Sequence, residues 1–101
     1  MKPDPETREL AWIGDSILSL FVREWLLKDS TIQEAERNTA YTLFTSNQFL
    51  SGLGEPSRVE AEIGRIYRNK GLSGAFLHIE TVLLPHFQKQ WKNRHKFRRI
   101  K

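Results

Sequence analysis

The chain contains no cysteine, which removes disulfides, thiolate catalysis and cysteine-rich zinc sites together. It has no run of about 18 apolar residues, so no segment reads as a membrane span. Met1-Lys2-Pro3-Asp4-Pro5 lacks the apolar core of a signal peptide, and the expectation is a soluble, cytoplasmic protein. Convincing strand-like alternation, internal repeats and low-complexity segments are also missing. Acid is missing from one region only: no Asp or Glu lies beyond Glu80.

That last absence makes the formal charge of +4 misleading. Residues 1–88 hold 9 Lys/Arg and all 12 Asp/Glu, a net of −3. Residues 89–101 hold the other 7 bases: Lys89, Lys92, Arg94, Lys96, Arg98, Arg99 and Lys101. The reading is one helical domain over 1–88 followed by a basic tail, which is either a solvated terminus or a patch for a polyanion. A length of 101 residues suits a single domain, and 39% hydrophobic content supports a packed core.

What is present is helical periodicity nearly throughout. Asp4 as N-cap, Pro5 and Glu6 open a first helix with Leu10, Ile13, Ile17, Leu18, Phe21, Val22 and Trp25 at spacings of three and four, ending near Lys28. Asp29-Ser30-Thr31, with Gln33 and Glu34 beyond, predicts a cap and a second helix to Leu43. Thr45-Ser46-Asn47 caps a short helix over 48–53. Ser57 and Glu60 form a capping box for a fourth helix, with Val59, Ile63, Ile66 and Tyr67 on one face and Gly71 as terminator. A fifth carries Leu72, Ala75, Phe76, Ile79, Val82, Leu83, Phe87 and Trp91, and Pro85 should kink it or end its regular part. The fold class is all-α, with about five helices. Trp12, Phe21 and Trp25 point around much of the first helix, so that helix is either central or shared with a second copy.

Two acids stand out. Asp15 follows Gly14 inside an otherwise apolar helix, where both residues are costly. Ala11, Asp15 and Ser19 lie four apart and make a narrow face of small side chains that admits a helix, a ligand or a metal. The plain alternative is a solvated or Arg-paired Asp15. Glu60 has its own plain account, the capping box. Glu62 points to the other side of the helix. No sequence rule brings Asp15 and Glu60 together.

Leu10-Ala11-Trp12-Ile13-Gly14-Asp15-Ser16-Ile17-Leu18 resembles the signature helix of the ribonuclease III catalytic domain, which runs apolar-acid-aromatic-Leu-Gly-Asp-small-apolar-Leu. Val59-Glu60-Ala61-Glu62-Ile63-Gly64-Arg65-Ile66-Tyr67 is similar to that family's Val/Phe-Glu-Ala-x-Ile-Gly-x-x-Tyr helix. Ser46-Asn47-Gln48-Phe49-Leu50 stands at its small-Asn-x-x-Leu start, and Leu83-Leu84-Pro85-His86-Phe87 at its last helix.

The resemblance implies an endoribonuclease that cleaves double-stranded RNA in RNA processing, works as a two-fold homodimer, and uses Mg²⁺, or Mn²⁺ in its place. Asp15 and Glu60 map onto catalytic, metal-binding carboxylates of the family, with Ser57 and Asn47 at accessory positions. Ala11, Arg8 and Ser57 replace three of the family's acids. The compact Mini-III-like branch, which lacks a double-stranded-RNA-binding domain, resembles this chain in having Ala at the first position and a hydroxyl at the third. Inactive relatives that serve as RNA-binding or structural modules set the alternative. The basic residues of 89–101 are then candidates for phosphate contacts.

Overall fold

A computed structural model describes residues 4–100, with side chains as far as Asn93. Among the described residues all regular structure is helical: α1 (Pro5–Lys28), a 3₁₀ turn (Glu34–Glu36), α2 (Arg37–Phe44), α3 (Asn47–Leu50), α4 (Pro56–His78), a π turn (Ile79–Leu83) and α5 (Leu84–Ile100). The all-α expectation holds. The fourth and fifth expected helices meet at Gly71, whose φ of 76° and ψ of −176° are non-helical, so Gly71 ends the first as expected and the second follows with no intervening loop. Lys101 lies outside the described residues, and so do the side chains of Arg94, Lys96, Arg98 and Arg99.

α1 begins as its sequence dictates, with the Asp4 carboxylate accepting from the Thr7 N–H at 2.7 Å. Its end explains a misplaced boundary. The Ser30 hydroxyl donates back to the Leu26 carbonyl at 3.2 Å and accepts from the Ile32 N–H. It is thereby used to close α1 and cannot cap the next helix, so α2 starts only at Arg37. α3 is shorter than predicted, and Ser46 caps it by accepting from the Phe49 N–H at 3.1 Å.

The long run over 56–100 is bent twice. Gly71 sits at φ 76°, a region costly for any side chain, and helical structure resumes at once beyond it. Pro85 has no N–H to give to the preceding turn, and its ring presses on that turn. The widened π turn directly before it takes up the misfit. Beyond or within these breaks, Leu72 and Val82, expected on the inner face, are 41% and 47% exposed, and Tyr67, which precedes both, is 40% exposed.

The core is aromatic. Phe44, Phe49 and Phe87 are fully buried with Leu18, Val22, Leu50, Ile63, Ile79 and Leu83. Phe87 is its centre: it stacks on Phe44 at 4.5 Å between centroids, receives Phe49 and Trp25 edge-on, and carries Trp91 on 5.8 Å stacking. Trp91 therefore belongs to the core edge although it lies in the basic segment.

A second contact is of another kind. α1 and α4 cross backbone to backbone at Gly14 and Gly64. A Cβ on Gly14 would stand 2.8 Å from the Glu60 carbonyl carbon, and one on Gly64 2.9 Å from that of Leu10, each overlapping the carbonyl oxygen. Leu10, Ala11 and Ala61 fill the space beside the crossing. Since the obstacle on each side is main chain, Gly64→Ala must push the helices apart. The expected cost is more than about 2 kcal/mol. It reads as a lower denaturant midpoint at unchanged slope, and an unshifted midpoint would contradict the packing.

Candidate active site

The crossing decides what stands next to it. Gly14 lies on the main chain of Glu60, so Asp15, one residue on, and Glu60 converge from facing helices. Their carboxyl groups are within hydrogen-bonding reach of each other. They line an open depression with Arg8, Ala11, Trp12 and Ser57. Asp15 is exposed and Glu60 half-buried.

The proximity shows in the titration of Glu60. Burial first, then the hydrogen bond and charge of Asp15, and then the charge of Glu55 push its pKa from 4.5 up to about 7. Two carboxylates this close repel unless a proton or a cation sits between them.

Glu60 is available because another residue took the role assigned to it. The capping box of Ser57 and Glu60 is not formed. Glu55 caps α4 instead, its carboxylate accepting from the N–H groups of Ser57 at 3.3 Å and Arg58 at 3.1 Å. Pro56 at the first helical position makes Glu55 the preceding cap, and that signal stood in the sequence. Ser57 thus lies on the wall of the depression beside Glu60. Asn47 opens α3, where its carbonyl accepts from the Ser51 N–H at 2.8 Å, and it does not line this depression. Ala11, at the family's first acid position, is 8% exposed and packs with Ala61.

The donor chemistry is oxygen only: two carboxylates and one hydroxyl. Such hard donors suit Mg²⁺, which keeps much of its water shell and binds through one or two carboxylates. Among the described residues no group of three or more His, Cys, Asp and Glu gathers anywhere. The set fits a hydrated ion and does not form a closed cage.

Arg8 and Trp12 are wall residues that the sequence pattern does not by itself assign to the site. Arg8 precedes Asp15 by seven residues, two turns on the same face, and that spacing was the available signal. Trp12 is 78% exposed at the rim. Farther along α1, Tyr41 of α2 donates its hydroxyl to Ser19 at 3.0 Å, and the Arg23 guanidinium lies over the Tyr41 ring at 4.5 Å. Ser19 therefore serves the α1–α2 contact. On α5, Lys89 and Lys92 are exposed. Among the described residues no helix is long and apolar enough to cross a membrane.

Because the folded pKa of Glu60 lies above its unfolded value, its contribution to stability is complete below about pH 4.5 and lost as pH rises through 7. For metal-free protein, Glu60→Gln should remove that loss and raise the melting temperature above pH 7. The gain is about 1 kcal/mol, reduced by solvent screening of a half-exposed pair. Parallel melting curves across pH for both proteins would contradict the pairing.

Comparison of the chain with family models, with curated proteins and with solved structures finds no significant match.

Proposed function

We propose that the chain is a Mg²⁺-dependent endoribonuclease acting on double-stranded RNA, with Asp15 and Glu60 as its metal-binding and catalytic carboxylates. One observation carries the reading: residues 45 positions apart, both singled out by the ribonuclease III resemblance, converge at a crossing that only glycine permits. Bound there, Mg²⁺ would activate a water and offset charge on the phosphate under attack. Ionised Asp15 and Glu60 accept hydrogen bonds only, so they would hold the cation and orient the waters of its shell. Glu60 must release its proton to act as a ligand, so metal affinity should rise with pH up to about 7. Ser57 offers a hydroxyl at the same wall.

A homodimer fits this reading. Trp12, Leu20 and Leu27 are 78%, 42% and 66% exposed along one side of α1. A two-fold pairing over that side would cover them and present two equivalent sites to antiparallel strands.

The competing reading is an RNA-binding module without catalysis. The missing acids at Ala11 and Ser57 favour it. Incubation of the purified protein with labelled double-stranded RNA, with and without Mg²⁺, separates the two. Cleavage that needs Mg²⁺ is expected, with Asp15→Asn and Glu60→Gln each lowering the rate at least about 100-fold while RNA is still bound. Retention without cutting would select the module.

The bases of 89–101 are assigned to phosphate contacts. Because Trp91 packs against Phe87, the test is not truncation but replacement of Lys89, Lys92, Arg94, Lys96, Arg98, Arg99 and Lys101 by Gln. Affinity for RNA should fall and its salt dependence flatten by nearly one unit of log–log slope for each lost contact. An unchanged slope would leave the segment without that role.

A further inference from the structure

Arg8 is placed in the depression but has no counter-ion there. It lies on the same face of α1 as Asp15, about 10 Å earlier along the axis, and lines the same depression. It is exposed, so solvent and ligands reach it. Among the described residues its guanidinium has no carboxylate within 4.0 Å; the ion pairs there are Lys28 with Glu24 and Arg65 with Glu62. A guanidinium that stays charged at any working pH thus borders two acids without neutralising them.

The charge balance indicates what it is free to hold. The two carboxylates bring −2 and a divalent cation +2, which leaves the depression neutral. Arg8 makes it positive by one unit, the charge that matches a single phosphodiester. The guanidinium fork also fits two phosphate oxygens in a way that an ammonium does not. We propose that Arg8 is a phosphate-binding residue of this site, seating a phosphodiester of the RNA strand against the carboxylate pair. The inference rests on the reading of the depression as an RNA site, and it adds the residue that overcomes the repulsion between acids and substrate.

The test is equilibrium binding of double-stranded RNA in Ca²⁺, an oxygen-seeking divalent cation that offsets the two carboxylates as Mg²⁺ would while activating water poorly. Arg8→Ala should weaken binding about tenfold and reduce the salt slope by about one. Arg8→Lys should recover part of the affinity, since it restores the charge without the fork, and Arg8→Glu should bind more weakly than Arg8→Ala. Calorimetric titration with Mg²⁺ supplies a second readout: Arg8→Glu should tighten Mg²⁺ binding by adding a third acid at the wall. The melting temperature of Arg8→Ala should stay within about 2 °C of the unaltered protein, because Arg8 has no ion pair among the described residues for the substitution to remove. Equal affinities and slopes for the unaltered protein, Arg8→Ala and Arg8→Glu would overturn the inference whether or not the protein cuts RNA. Arg8-dependent binding by a protein that never cleaves would sustain it while removing the nuclease reading.

Discussion

Gly14 and Gly64 let two long helices meet through their main chains, and most of the molecule follows from that contact. The crossing is reciprocal: each glycine faces a carbonyl of the opposite helix, of Glu60 on one side and Leu10 on the other. No other residue type fits either position, because the atoms in the way cannot rotate aside. Small residues extend the seam at Ala11 and Ala61. The geometry is costly in another respect, since glycine inside a helix forfeits about 1 kcal/mol relative to alanine. The return is position: Asp15 and Glu60 are carried by rigid helices rather than loops, so their separation is set by the fold itself.

The two halves of the molecule divide the work. Around Phe87, stacked and edge-on aromatic rings hold α1, α2, α3 and α5 together through buried area. Toward the start of α1 there is little apolar mass, only the close crossing and the depression beside it. Aromatic packing is concentrated at one end of α1 and the acid pair stands at the other. The half-buried, repelling acid pair is accommodated where no large core has to form around it.

Much of the fold was legible because helix signals are local. The Asp4-Pro5 start, the end near Lys28 and the apolar spacing of α1 all follow from neighbours in sequence. Errors arose where one residue had two competing uses. Ser30 looked like a cap but is bound to the turn behind it, and Ser57 with Glu60 looked like a capping box while Glu55 held the position. The convergence of Asp15 and Glu60 was not legible from spacing. It depends on a tertiary contact between residues far apart in the chain, and the Gly-Asp and Glu-Ala-x-Ile-Gly stretches pointed to it only through their resemblance to ribonuclease III. Arg8 entered as a departure from that pattern; its spacing of seven from Asp15 put it on the same helix face, and the crossing with α4 made that face a wall.

The absence of any loop between α4 and α5 has a consequence for how this chain can change over time. Glu60 and the bases of 89–100 ride on one helical run, through the bend at Gly71 and the π turn. An inserted or deleted residue within it would rotate everything beyond by about 100° and shift it by about 1.5 Å. The aromatic face of Phe87 and Trp91 would turn out of the core at the same step. The connections at 29–33, 45–46 and 51–55 are free of that constraint, and within the long run only the break at Gly71 and the π turn already depart from regular helical phase.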